Sequence, residues 1–440
     1  MKIALAPALV SLAIALDCGA PAAIAQTDAR VNPLRLEELH RAAIQSDPRF
    51  RELQLQAAQT DLRLGRIGAE RLPSVTAESQ AQYQSDVPTP PSFVPGGRPL
   101  FAPPKQTYDT YLRMEQRIVD PSLGPRQAVE RAQLAEGQAR VRTSLYALRA
   151  DVNDAFFGAA MLQARGATLA ASIASLEARL RETRARVREG AALGADAAAV
   201  EATLLQRRQE EDDVRARRVT ALSVLSSLTG RTISENDALD LPDVQVTVAE
   251  ARRAWSGTRA RPEYERFARA RDVLARQQDA IAASELPRLG AFARAGYGRP
   301  GLNFISDQFE AYGFVGLRVQ WNALTWGTAR RDREALAIQQ QIVAADEAAF
   351  TSALGRSIDA DLATIDRLER TLGLDDRIVV LREEIARTAE IRFGESVITA
   401  SEYLDRNTEL LEARLARAAH GVELSQARAR FLTSLGLEVR

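Results

Sequence analysis

Cysteine is nearly absent from this 440-residue chain, where Cys18 is the single example, and histidine occurs only as His40 and His420. A structural or catalytic metal site draws on several Cys, His or clustered carboxylate ligands, and this supply is too small to suggest one. Both histidines lie in helical, polar surroundings and read as surface or packing residues. Net charge is also missing, because 58 Lys and Arg balance 58 Asp and Glu. Without a basic surplus there is no electrostatic footprint for nucleic acid. The sequence has no G-x-x-x-x-G-K-[ST] loop, no G-x-S-x-G, no H-E-x-x-H and no nucleophile with a plausible histidine base. These absences argue against an enzyme, against an energy source within the chain and against any cofactor. After the first 25 residues no apolar run reaches the roughly 18 that a membrane-crossing helix needs.

What the chain does have is Ala, Arg, Glu, Leu and Gln over most of its length, with only 5% aromatics. That composition favours long helices in coiled-coil contact. The N-terminus, "MKIALAPALVSLAIALDCGAPAAIAQTDAR", carries Lys2, an apolar stretch from Ile3 to Leu16 and Ala23-Ile24-Ala25 before Gln26. This is the pattern of a secretory signal peptide over residues 1–25. Lipidation at Cys18 is the competing reading, but the preceding residue is Asp17, where a small residue is normal.

Two halves of the chain repeat one another. "SDPRFRELQLQAAQTDLRLGRIGAERLPSV" begins at Ser46, and "ARPEYERFARARDVLARQQDAIAASELPRL" begins at Ala260. Pro48 and Pro262 stand 214 positions apart, and so do Pro73 and Pro287. Two copies of so large a unit indicate duplication, not a short-period solenoid. The repeats span 26–230 and 261–440, joined by a segment 231–260 that holds Pro242 and Trp255. Each reads as helix, strand, loop, strand, long helix, tip and shorter helix. The long helices are expected over about 123–189 and 328–393, each roughly 100 Å. Shorter ones are expected over about 36–71, 196–229, 262–285 and 397–435, stacked end to end beside them. The tips fall at about 188–196 and 392–401, where "VREGAALGADAAAV" and "RFGESVITASEYLD" interrupt the helix formers. Gly190 and Gly394 are expected to supply a left-handed residue there. Asp196, Ser396 or Thr399 is expected to cap the returning helix.

Four strands are expected, over about 74–85, 107–119, 288–298 and 309–321. Each alternates apolar with polar residues across about ten positions, the length and period of an outer-membrane strand. The candidate lipid-facing residues are Val75, Tyr83, Leu112, Ile118, Leu289, Tyr297, Phe309, Val315 and Leu317. A hairpin packed on helices in water would alternate in the same way. Four strands cannot close a membrane barrel, whose smallest members have eight. Three copies pooling their strands would supply twelve and leave no open edge in lipid.

The signal peptide, the duplicated unit, Leu72-Pro73 and Leu286-Pro287 before the strands, the two tips and the closing "SSLTG" together resemble the TolC-like outer-membrane efflux proteins. The resemblance runs from about Leu34 to Leu437. It implies a mainly α fold with a β-barrel contribution: a homotrimer with a twelve-stranded barrel in the outer membrane, continued by a periplasmic α-helical barrel. It further implies a passive exit duct that docks a periplasmic adaptor and an inner-membrane transporter of RND or ABC type. Gly190, Ala192, Leu193, Asp196, Gly394, Ser396, Val397, Ile398 and Thr399 would form the adaptor-docking tips; packing against a neighbouring helix pair is the plainer alternative. Asp375, Asp376, Arg382, Glu383, Glu384 and Arg387 are candidates for a periplasmic gate. A solvated helix face with pairs such as Glu383–Arg387 is the competing reading. A duct for type I protein secretion, and a soluble periplasmic adaptor or scaffold, are the alternative functions. Drug efflux, ABC-type export, protein secretion and metal export are all compatible with the sequence.

Overall fold

The computed structural model describes residues 33–87, 104–254, 260–302 and 307–439. The expected signal peptide, Cys18 and Trp255 lie outside the described residues. Along the chain, β1 (Leu34–Arg35) leads into α1 (Leu36–Ser46) and α2 (Pro48–Ala69). Then come β2 (Ser74–Tyr83), β3 (Gln106–Val119), α3 (Leu123–Arg188) and α4 (Gly194–Thr229). A connector carries β4 (Leu239–Asp240) and α5 (Gln245–Ala254). The second half repeats the order as α6 (Pro262–Ser284), β5 (Arg288–Arg299), β6 (Glu310–Gln320), α7 (Thr328–Gly394) and α8 (Ala400–Leu435). No described helix is long and apolar enough to cross a membrane.

One expected helix is two. The stretch 36–71 breaks at Asp47, whose extended backbone ends α1 while its carboxylate accepts the Arg49 N–H at 2.8 Å and caps α2. Pro48 then occupies the first helical turn, where its missing N–H costs nothing.

The long helices α3 and α7 have 66 and 67 residues, about 100 Å each at the α-helical rise. Shorter helices lie along them in succession. Upper α3 meets α2, where Arg63 pairs with Glu130 at 3.4 Å. Its lower half meets α4, where Arg208 pairs with Glu177 at 2.6 Å. Helices α6 and α8 divide α7 in the same way, through Arg271–Glu347 and Arg428–Glu369. The seam of lower α3 is a heptad pattern: Leu169, Ile173, Leu176, Leu180 and Thr183 are all buried, at alternating spacings of four and three. That spacing keeps one apolar stripe against a partner helix.

The largest core sits midway, where the connector and α1 wrap the helices. Phe156, Phe157, Leu225, Ile358, Leu368 and Phe431 are buried together with Leu36 and Leu39. Each such side chain stabilises the fold by roughly 1.5–3 kcal/mol on burial. Strand β4 pairs in parallel with β1, Leu34 opposite Leu239. The Gln163 amide clamps the same strand, accepting from the Leu239 N–H at 3.0 Å and donating to its carbonyl at 3.1 Å. Two clusters of polar side chains are buried here with partners, as burial demands. His40 Nε2 lies 2.7 Å from Asn153 Oδ1, and Asn153 donates to Thr433 Oγ1 at 3.3 Å. Asp361, fully buried, accepts from Arg430 Nε at 2.6 Å and Ser434 Oγ at 3.2 Å.

The four long strands form one antiparallel sheet in the order β2-β3-β5-β6. Its central pair, β3 with β5, joins the two halves of the chain. Strands β2 and β6 are its edges.

Candidate functional site

The sheet sorts most of its residues by face, with Ser79 and Thr110, hydroxyls 2.9 Å apart, among the exceptions on the apolar side. In register across it, Ala77, Leu112, Ala295 and Gly313 share one face, as do Val75, Met114, Ala293 and Val315. Val75, Tyr83, Leu112, Tyr297, Phe309, Val315 and Leu317 are exposed on this apolar side, Val315 by 83%. Leu289 lies on the same face but is half-buried. Strand β3 shifts register between Arg117 and Val119, so Val119 stands opposite Leu289 and Ile118, exposed by 52%, is the extra residue of a bulge. At the loop end the Tyr297 and Phe309 rings stack with centroids 5.6 Å apart, and Tyr108 lies 6.2 Å from Phe309.

The opposite face is a ladder of charge and hydroxyl. Glu78 accepts from Tyr111, and Arg113 donates to the Tyr111 hydroxyl at 3.1 Å. Asp109 holds Arg294 and accepts from Tyr312 at 2.5 Å. The Arg294 guanidinium lies 3.4 Å from the Tyr111 ring centre. Two glycines make room for the rings. A Cβ at Gly296 would stand 2.7 Å from Tyr111 Cβ and from the Tyr312 hydroxyl, and one at Gly316 would stand 2.6 Å from the Phe292 ring. Aromatic side chains lying over strand glycines restore the packing that glycine lacks.

Below the sheet, Glu70 gathers Arg126 at 2.7 and 2.8 Å, and Arg117. The Arg126 hydrogen bonds are the main reason the Glu70 carboxyl is held down at about 2.

The two tips have one geometry with different residues. After α3 the Gly190 N–H bonds to the Val187 carbonyl, and the Ala191 N–H bonds to that of Arg186. After α7 the Ser396 N–H bonds to Phe393, and the Val397 N–H bonds to Arg392. Both are Schellman turns, which require a left-handed residue at the first position past the helix. That residue is Gly190, with φ of 74°, in the first tip and Ser396, with φ of 63°, in the second. The expectation that Gly394 fills this role is therefore corrected, since Gly394 is the last residue of α7. The serine tolerates the conformation because its hydroxyl is engaged by Arg186, at 2.8 Å. Thr399 caps α8, its hydroxyl accepting from the Glu402 N–H at 3.2 Å. Asp196 reaches back to the Leu193 N–H at 3.2 Å. Leu193 and Val397 are exposed at the apices, Leu193 by 71%. Ala192 and Ile398 are half-buried, and Ile398 packs on the core formed by Phe393 and Tyr403.

Four of the six candidate gate residues pair with α8. Asp375 lies 2.6 Å from His420 Nδ1, Asp376 accepts from Arg417 at 2.6 Å, Arg382 holds Glu409, and Glu383 accepts from Arg414 at 2.7 Å. The Glu383–Arg387 pairing is thus replaced by an interhelical one. Glu384 and Arg387 are exposed and have no ion pair among the described residues. Beside them Leu374, Ile378, Leu381 and Ile385 form an exposed apolar stripe at spacings of four and three.

Sequence reasoning missed the links between the two helical hairpins. Arg179, buried on α3, bonds Glu182 at 2.8 Å and crosses to Glu390 on α7, with its guanidinium 5.2 Å from the Tyr403 ring centre on α8. Burial opposes its charge; Tyr403, Glu182 and Glu390 outweigh that and raise its pKa. The available signal was an arginine at a buried position of the α3 stripe. Among the described residues no cluster of His, Cys, Asp or Glu is placed to hold a metal ion.

No family model and no curated protein matches the sequence. Solved structures do match the fold. The CusC transmembrane channel superposes with a TM-score of 0.67 at 12% identity, over 92% of both chains. The outer membrane protein VceC of Vibrio cholerae gives 0.64 at 15% identity, over 92% of this chain and 97% of that one. The open state of the MtrE outer membrane channel of Neisseria gonorrhoeae gives 0.64 at 16%, over 92% and 90%. This chain has the fold of the TolC-like outer-membrane channels.

Proposed function

We propose that the protein is an outer-membrane channel: a homotrimer whose pooled twelve strands close a β-barrel, continued by a periplasmic barrel of helices. One observation carries this reading. The sheet has a largely apolar exposed face and two edges that no described strand pairs, and it stands on helices about 100 Å long. In water such a face and such edges are a liability. In lipid the face is required, and only closure with other copies satisfies the edges. The Leu374–Ile385 stripe supports the trimer further, as a coiled-coil seam without a partner in its own chain. Within the trimer a second copy covers it.

In this reading the duct is passive and works with a periplasmic adaptor and an inner-membrane transporter. The adaptor meets the tips, at Gly190, Ala192, Leu193 and Asp196 in one and Ser396, Val397, Ile398 and Thr399 in the other. Their apices carry exposed Leu193 and Val397, apolar choices for a bare solvated turn. Glu384 and Arg387 are the gate candidates that α8 leaves unpaired, and three-fold symmetry turns each into a ring of three. The remaining four hold the α7–α8 hairpin together. Residues 1–25 direct export and are removed.

The test is conductance. Mature protein purified from outer membranes in mild detergent is weighed in solution and reconstituted in planar bilayers. A trimer that opens small, mostly closed channels is expected. A monomer that stays soluble without detergent and conducts nothing overturns the proposal in favour of a periplasmic scaffold.

A further inference from the structure

Charge is spread unevenly over the polar face of the sheet. At the loop end the register row of Gln80, Asp109, Gly298 and Glu310 is acidic. Towards the helices the row of Arg117, Gly290 and Arg318 is basic, and Arg288 stands two positions before Gly290 on β5. Strand β2 shows that this face needs no charge to be wet, since its Thr76, Gln80 and Gln82 are neutral. Like charges on neighbouring strands of one face repel. Wetting alone therefore gives no reason for three arginines at one level.

The three line one cleft of about 420 Å³ at the foot of the sheet, together with Glu70, Glu115 and Phe292. Arg117 is committed: it donates to Glu70, and to Asp120 at 3.4 Å. Arg288 and Arg318 are not. Arg288 comes no nearer to Asp120 than 3.6 Å, and Arg318 no nearer to Glu115 than 3.8 Å. Neither donates a hydrogen bond among the described residues. Their acidic neighbours have other partners. Asp120 accepts from the Ser122 N–H at 3.0 Å and its hydroxyl at 2.6 Å, and Glu70 accepts from Arg126 as well. Four guanidinium groups, counting Arg126, thus share the three carboxylates of Glu70, Glu115 and Asp120. The Arg318 guanidinium still has a fixed place, 4.9 Å from the centre of the Phe292 ring, which itself lies over Gly316. Gly290 puts no side chain in the middle of the row, so the space between Arg117 and Arg318 stays open.

We infer that this cleft is an oxyanion-binding site, where the Arg288 and Arg318 guanidinium groups hold a phosphate or carboxylate carried by a solute in the duct. The inference rests on the barrel reading, which turns the polar face of the sheet to the lumen. Each guanidinium presents a planar fork that matches two oxygens of such a group. A fork already stacked on an aromatic ring loses little freedom on binding. Arg117 adds positive charge without leaving Glu70. In a trimer the three clefts make one level with nine arginines, and arginine rings favour anions in a pore. A narrow passage with low-dielectric walls focuses that potential. The site thus selects cargo by its anionic group, at the point where the helical part of the duct meets the sheet.

The full protein in planar bilayers is titrated on both sides with pyrophosphate, and separately with citrate, while single-channel current is recorded. Both anions are expected to block the current. The concentration for half block is expected to rise about ten-fold in Arg318→Gln and in Arg288→Gln, and further in the double variant. Arg318→Lys keeps the charge without the fork and is expected to recover only part of the block. Arg113→Gln makes the same change of charge further along the same face and is expected to shift the block by less than about two-fold. Oligomer mass in detergent verifies that each variant is folded. If Arg113→Gln weakens the block as much as Arg318→Gln does, the effect belongs to the overall charge of the lumen and the site is wrong. Full recovery in Arg318→Lys also overturns the paired-fork site. If the parent conducts and neither anion blocks it, the site is wrong and the barrel stands. If the parent conducts nothing, the barrel reading falls and takes the site with it.

Discussion

Arg186 of α3 donates to the Ser396 hydroxyl in the tip after α7 at 2.8 Å, and its other terminal nitrogen reaches the Phe393 carbonyl at 3.3 Å. One turn and more above it, Arg179 joins the same two helices through Glu390. The α3–α4 and α7–α8 hairpins are therefore tied near their ends by two arginines from one helix. Separation of the two hairpins would break these links. Arg179→Ala and Arg186→Ala are expected to raise single-channel conductance severalfold, and the double variant to exceed either. Arg179 is the stronger tie, because it is buried and joins two carboxylates, Glu182 and Glu390, besides lying against the Tyr403 ring. Unchanged conductance in both single variants would remove the latch role and leave these contacts as packing.

The matched tips give a second expectation. Ser396 holds a left-handed conformation that glycine adopts without steric cost, whereas Gly190 already is that glycine. A β-carbon there is worth about 1 kcal/mol. Ser396→Gly is expected to relieve that strain while losing the Arg186 contact, for a net change within about 1 kcal/mol. Gly190→Ala gains nothing to offset the strain and is expected to lower the melting temperature measurably. A melt in which Gly190→Ala equals the parent contradicts this account.

The same tips mark how far the sequence is legible. Pro48 with Pro262 and Pro73 with Pro287 keep a constant offset, and the strand alternation identifies an apolar face that the pairing register reproduces. These signals are local and periodic, so they survive without coordinates. Pairing Gly190 with Gly394 misreads the second tip because glycine is only the commonest left-handed residue. A serine held by an arginine from another hairpin serves as well, and that partner is 210 positions away. The register shift at Ile118 is illegible too, because a bulge leaves no mark in the alternation. The charged residues before the second tip look like a row along α7, yet four of them are spent on α8, which only the packing of the two helices reveals.

The sheet's glycines make a third prediction. At Gly296 a methyl group would meet Tyr111 and Tyr312 from opposite neighbouring strands, and at Gly316 it would meet the Phe292 ring. Those rings are themselves held, Tyr312 by Asp109 at 2.5 Å and Phe292 by the Phe314 ring at 6.1 Å. They cannot move aside cheaply, so overpacking of about 1–3 kcal/mol is expected. Gly296→Ala and Gly316→Ala should lower the temperature at which the folded protein converts to unfolded chain on a gel run with detergent. Gly65→Ala is the control, because nothing lies within 4 Å of a Cβ there and the site is helical; it should be neutral or stabilising.

The fourth prediction concerns acid. His40 is buried among α1, α3 and α8, with Asn153 and Thr433 beside it and Arg149 and Glu438 near. Burial drives its pKa down to about 4, Arg149 adds to the effect, and the Asn153 hydrogen bond opposes it. The unfolded chain binds a proton near pH 6.5 that the folded chain refuses. Stability is therefore complete above that pH and falls as pH drops towards 4, where the folded histidine also protonates. Across this window the loss amounts to about 3 kcal/mol. Glu70 acts lower down: its depressed carboxyl contributes stability that disappears only as pH falls from the ordinary carboxylate range towards about 2. Thermal melts in detergent between pH 7 and 4 should thus show a falling midpoint for the parent, and His40→Gln should start lower and change less. A variant as pH-sensitive as the parent would assign the acid response to other groups. The His40–Asn153–Thr433 chain would then serve only to satisfy the polar atoms that this core encloses.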